Sequence, residues 1–137
     1  MSTDKNKEIV RNACQYISDR NFPALFDLID EDGTWTLPNR PERFEYGGRY
    51  DKPGWRNLLE GFLNPFDEFR FDVHTLTAEE DRVVVEATTA GVGPGEARYN
   101  NNYLLMFKLR DGKICEVTES LDPFQVLAYV EQIPTSS

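Results

Sequence analysis

Residues 98–130, RYNNNYLLMFKLRDGKICEVTESLDPFQVLAYV, read as two long strands joined by a tight turn and followed by a helix. Tyr103, Leu104, Leu105, Met106, Phe107 and Leu109 form the aromatic and aliphatic run that a half-buried or buried strand requires. Arg110-Asp111-Gly112 follows, with the glycine free to take the positive φ of a hairpin turn. From Lys113 to Leu121 the chain alternates. Cys115, Val117, Glu119 and Leu121 share one face, while Glu116, Thr118 and Ser120 share the other.

The loop length decides which residues face one another. A two-residue loop sets Glu119 opposite Leu104 and mismatches the faces of the two strands. A three-residue loop with a bulge at Gly112 opposes Leu109 to Lys113, Phe107 to Cys115, Leu105 to Val117, Tyr103 to Glu119 and Asn101 to Leu121. That register joins the apolar sides and is the one expected. It leaves one carboxylate, Glu119, on the core side beside Tyr103 and Asn101.

A carboxylate on an apolar face is the informative anomaly. Desolvation raises its pKa and makes it a proton carrier near neutral pH. The competing reading is a strand-end glutamate in solvent, or one satisfied by a structural hydrogen bond.

The rest of the composition narrows the classes. A chain of 137 residues suits one domain, 1–137, that buries roughly 70% of its unfolded surface. A net charge of −9 with no run of basic residues longer than a pair argues against nucleic acid and against an anionic membrane. No apolar run is long enough to span a bilayer, and the polar opening Met1-Ser2-Thr3-Asp4-Lys5 is not that of a signal peptide. Cys14 and Cys115 lie on apolar faces far apart in sequence, so two free thiols in a reducing cytoplasm are expected. A single histidine without metal-ligand spacing argues against zinc, and no metal or cofactor is expected.

Taken in order, Ser2, Thr3 or Asp4 can cap a first helix whose buried stripe is Ile9, Val10, Ala13, Cys14, Tyr16 and Ile17, ending near Arg20-Asn21. Residues 22–29 read as a short second helix with Pro23 in its first turn. Glu31-Asp32-Gly33 reads as a turn into a strand, Thr34 to Leu37, with Trp35 and Leu37 on one face. Residues 38–54 (PNRPERFEYGGRYDKPG) read as a long loop or broken strand of the kind that covers binding sites. A third helix from Lys52-Pro53 presents Trp55, Leu58, Leu59, Phe62 and Leu63 on one face.

From Phe66 the pattern is β. Phe69, Phe71 and Val73 alternate with Arg70, Asp72 and His74, which puts His74 on the polar face. Residues 78–81 turn into a strand built on Val83, Val84, Val85 and Ala87, and residues 91–95 form a glycine-rich hairpin loop. Asp122-Pro123-Phe124-Gln125 has the form of a helix start with Asp122 as its N-cap, and residues 134–137 are expected to fray.

The order of elements is that of an α+β fold: three N-terminal helices on one face of a curved antiparallel sheet, with a short C-terminal helix. Such a curved sheet encloses a conical cavity, onto which Trp35, Trp55, Tyr103 and Glu119 would converge. This order, together with TWTLP (34–38), YNNNY (99–103) and FKLRDGKICEVTESLD (107–122), resembles the NTF2-like superfamily and in particular its SnoaL-like branch, over nearly the whole chain. The C-terminal part is also similar to the phenazine-biosynthesis PhzA/PhzB family. There a last-strand glutamate lines the cavity, matched here by Glu119, and an asparagine on the preceding strand is matched by Asn101; their helix-borne histidine falls near Arg56. In ketosteroid isomerases the first-strand base falls at Leu37, and the first-helix tyrosine falls near Ala13, a turn from Tyr16. The middle-strand pair of limonene-epoxide hydrolases falls within residues 85–89, which offer only Glu86.

The resemblance implies a small-molecule enzyme of the polyketide-cyclase and isomerase kind. Glu119 would move a proton at a carbon next to a carbonyl, and Tyr103 or Asn101 would donate to the developing enolate oxygen. Trp35, Trp55 and Tyr16, with Arg56 nearby, would bind an apolar or ring-shaped ligand. It also implies a homodimer through the outer sheet face, with which Arg70, Asp72, His74, Leu104 and Met106 are compatible. The alternative expectation is a non-catalytic ligand-binding or dimerisation module of the same fold.

Overall fold

Four helix starts show how local chemistry sets the elements. In the computed structural model, which describes residues 2–135, Ser2 caps α1 (Thr3–Asp19) by accepting from the Lys5 amide at 3.1 Å. Asn21 caps α2 (Phe22–Asp27), Asp51 caps α3 (Lys52–Leu63) and Asp122 caps α4 (Pro123–Gln132), each with a proline in the first turn. A proline there lacks only an amide that no intrahelical carbonyl would have bonded, so it starts a helix without cost. Of the residues expected to fray, Ser136 and Ser137 lie outside the described residues.

Six strands form one sheet: β1 (Ile29–Leu37), β2 (Gly48–Asp51), β3 (Glu68–Glu79), β4 (Arg82–Val92), β5 (Arg98–Arg110) and β6 (Lys113–Leu121), with a single 3-10 turn, Pro94–Glu96, between β4 and β5. Their spatial order is β2-β1-β6-β5-β4-β3. Every pairing is antiparallel except β1 with β6, which is parallel and lays Trp35 beside Val117. The sheet is therefore mixed rather than wholly antiparallel. It is curved and open, with α1 packed mainly on β3 and α3 on β1, and α4 against β5 at the far end. The core lies between the helices and the concave face, where Val83, Val85, Leu105, Phe107, Ile114 and Val117 are buried.

The organising hairpin differs from expectation in a way that explains itself. The loop has two residues, because Arg110 pairs with Lys113. Asp111 and Gly112 both have positive φ, 51° and 79°, the pair that a type I′ turn requires. The face mismatch such a loop creates is absorbed at the third residue of β6. Leu109 opposes Ile114 while Lys108 opposes Glu116, so Cys115 is a bulge. Ile114 therefore takes the core position and Cys115 is pushed to a half-exposed one, its Sγ 3.4 Å from the Lys108 carbonyl. Beyond the bulge Phe107 meets Val117, Leu105 meets Glu119 and Tyr103 meets Leu121. Glu119 keeps its inward face but not the partner the sequence suggested.

Other boundaries shift for similar reasons. The second helix stops at Asp27 and Ile29 opens β1, in which Glu31-Asp32-Gly33 forms an irregularity of the strand rather than a turn before it. Within the segment read as a loop, residues 48–51 pair with the end of β1 as an edge strand. β3 runs to Glu79 and β4 to Val92, shortening the two turns expected around them. His74 is a bulge residue of β3 and its ring meets Thr88 Oγ1 at 2.8 Å, on the exposed side.

Two anchors hold the helical layer on the sheet. Arg20, at the end of α1 in the left-handed conformation, reaches from that corner to the carbonyls of Leu63 and Phe66 at 3.2 and 2.6 Å. Asn101 fixes the start of α4. Its amide donates to the Tyr99 hydroxyl and the Asp122 carbonyl, and its oxygen accepts from the Asn102 and Asp122 amides.

Candidate functional site

The concave face and the helices leave one apolar cavity, walled by Trp35, Trp55, Leu58, Leu59, Phe71, Tyr103, Leu105 and Leu121, with Glu119 among them. Phe44 and Tyr46 of the irregular segment close it, and Val126 of α4 lines its end. Its volume is about 70 Å³. An engineered apolar cavity of roughly 150 Å³ is what benzene occupies. A ring-sized ligand therefore has to displace a wall side chain.

Local geometry brings Glu119 and Trp35 together. The parallel pairing of β1 with β6 places the Trp35 indole over the outgoing strand, and its Nε1 donates to Glu119 Oε1 at 3.1 Å. Trp35 is also clamped by Trp55, stacked on it at 4.8 Å between ring centroids, and by Phe107 edge-on at 6.1 Å. Among the described residues no other group donates to the glutamate. Glu119 is only 8% exposed. Burial in apolar surroundings pushes its carboxyl up from 4.5 to about 7, against the opposing pull of the Trp35 N–H. Protonated and ionised forms thus coexist near neutrality, which lets the group both take and return a proton.

A hydroxyl pair lies along the same face of β5. Tyr99 and Tyr103 are hydrogen-bonded to each other, and Asn101 donates to Tyr99 at 2.9 Å. Burial lifts Tyr99 to about 12 and holds Tyr103 well above the ordinary 10, so both stay protonated.

The structure brings Glu119, Tyr103, Trp35 and Trp55 to one cavity. The others lie elsewhere. Asn101 has both amide protons committed and its side chain ties β5 to α4. Tyr16 is half-buried against the core, and its neighbour Ile17 takes the place on the cavity wall. Arg56 pairs with Glu60 at 2.8 Å and lies over the Phe26 ring. Thr89 and Tyr99 line the site without having been singled out, although their even spacing, two residues from Ala87 and four from Tyr103, could have found them. Phe44 and Tyr46 carried no periodic signal. No group of three or more His, Cys, Asp or Glu is placed to hold a metal among the described residues, and no helix is long and apolar enough to cross a membrane.

A cone of helices on a curved mixed sheet, closed over an apolar cavity, defines the NTF2-like class of small α+β domains. The chain belongs to the SnoaL-like domain family, which it matches over residues 10–117. It is 29% identical to UPF0523 protein C of Dictyostelium discoideum over 129 residues, covering 84% of this chain and 79% of that protein. Solved structures share the fold at lower identity. PrhC from Penicillium brasilianum superposes with a TM-score of 0.84 at 15% identity, over 95% of this chain and 88% of that one. TerC, co-crystallised with polyporic acid, gives 0.78 at 19%, over 93% and 98%. IdmH from Streptomyces antibioticus, a proposed polyketide cyclase, gives 0.75 at 20%, over 92% and 98%.

Proposed function

We propose that this protein is a small-molecule enzyme of the isomerase or cyclase kind, using Glu119 to move a proton at a carbon beside a carbonyl in an apolar or ring-shaped substrate. One observation carries the reading: a buried carboxyl on the wall of an apolar cavity with one oxygen held by the Trp35 N–H, where burial pushes its pKa up to about 7. A base poised near the working pH is what proton abstraction requires. Tyr103 supplies a protonated hydroxyl beside it, with Trp35 and Trp55 as the apolar wall. The SnoaL-like family and the cyclase relative named above are consistent with that chemistry.

The test uses α-proton exchange of a ring ketone, 1-indanone, in heavy water. The wild-type protein should accelerate exchange, and Glu119→Gln should return it to the buffer rate with an unchanged circular dichroism spectrum. Acceleration undiminished in Glu119→Gln takes that residue out of the mechanism.

A second reading, a non-catalytic ligand-binding or dimerisation module, is favoured by the tightness of the cavity and by the outer face, where Val84, Leu104 and Met106 are exposed. A wild-type protein that binds the ketone without exchanging its protons would establish it. On either reading those exposed side chains are suited to a homodimer through the sheet. Light scattering should give twice the 15.8 kDa chain mass, and a monomer would contradict the dimer.

A further inference from the structure

Two buried polar atoms of the cavity residues have no hydrogen-bond partner: the Trp55 indole N–H and the Thr89 hydroxyl, which adjoins Tyr103 without reaching bonding geometry. The contrast between the two tryptophans is informative. Trp35 donates to Glu119, whereas Trp55, stacked on it with 12° between the ring planes, has its N–H closed off from water and from every acceptor among the described residues. An indole nitrogen can only donate. Left unpaired in a buried site it is a standing cost, relieved only by something that brings an acceptor. The other donors differ. Asn101 gives both amide protons to Tyr99 and Asp122, and Tyr99 and Tyr103 share one bond between their two hydroxyls. The Thr89 hydroxyl can accept as well as donate, so among the described residues Trp55 is the donor-only group left without any partner.

We infer that Trp55 Nε1 is the donor that holds the ligand's oxygen, and that the ligand is a neutral ring ketone whose carbonyl lies on Trp55 and whose adjacent carbon lies toward Glu119. The inference rests on the proton-transfer reading for its second half, and on the unpaired indole for its first. Neutrality follows from the wall, where no Lys, Arg or His stands to balance a carboxylate or phosphate beside Glu119. Entry of the ring widens the cavity and gives the indole the acceptor it lacks.

The chain has two tryptophans, so two indole N–H resonances report directly on the site, and Trp55→Phe assigns them by deletion. The protein is titrated with 1-indanone and with indane, the same shape without the oxygen. The Trp55 resonance should move downfield with the ketone and not with the hydrocarbon. The ketone should bind roughly tenfold more tightly, a preference that Trp55→Phe brings to near one. Equal binding of the two, no ketone-specific movement of the Trp55 resonance, no binding of 1-indanone, or an undiminished preference in Trp55→Phe would each overturn the assignment. The two ideas fail separately. Ketone preference without proton exchange in the wild type removes the proton-transfer reading and keeps Trp55 as the anchor. Exchange without ketone preference does the reverse.

Discussion

Glu119→Gln should make the protein more stable above pH 8, by about 3 kcal/mol and roughly 10 °C in Tm. The native carboxyl stands at about 7 because burial penalises its charged form, against 4.5 when exposed. Below pH 4.5 it is protonated in both folded and unfolded chains and contributes no difference. As pH rises through the interval to 7, the folded state holds the proton more tightly than the unfolded one. Stability is then lost progressively, and the full deficit remains above 7. Glutamine keeps an oxygen to accept from Trp35 and carries no charge, so its advantage should grow from near zero at pH 4.5 to its full value by pH 8. Urea unfolding of both proteins across this range is the check. Parallel pH profiles would mean that Glu119 is not desolvated.

Asn101→Ala should be destabilising by about 3 kcal/mol. The buried side chain satisfies four polar groups at once, and alanine leaves the Asp122 amide without a partner and takes one of two partners from the Tyr99 hydroxyl and from the Asp122 carbonyl. The loss should be local before it is global. Asp122 caps α4, and Val126 and Tyr129 are that helix's buried contacts with the rest of the molecule. Hydrogen exchange in residues 123–132 should therefore accelerate more than exchange in β4 or β5. A uniform change across the sheet would contradict the anchoring role.

How much of this was legible beforehand depends on the range of each interaction. The inward face of Glu119 followed from two-residue alternation, a local property, and survived an incorrect register because the shift was an even number of residues. The bulge at Cys115 was hidden, since nothing in Lys113-Ile114-Cys115 distinguishes a regular step from an extra residue. The helix starts were legible because Asn or Asp followed by proline acts within one turn. The Trp35 bond to Glu119 spans 84 positions and depends on a parallel pairing that strand patterns do not announce. Asn101 was placed on the right face, but its commitment to Asp122, 21 positions on, has no sequence signature. The cavity's small volume was equally hidden, because it depends on how Phe44, Tyr46 and the two indoles fill the cone.

The account turns on the protonation of one side chain, and carbon-13 NMR of the glutamate carboxyl carbons reads it directly. With the Glu119 signal assigned by its loss in Glu119→Gln, titration should give a midpoint of about 7. A midpoint near 4.5, that of a solvated carboxylate, would contradict the buried proton carrier on which the proposed chemistry depends.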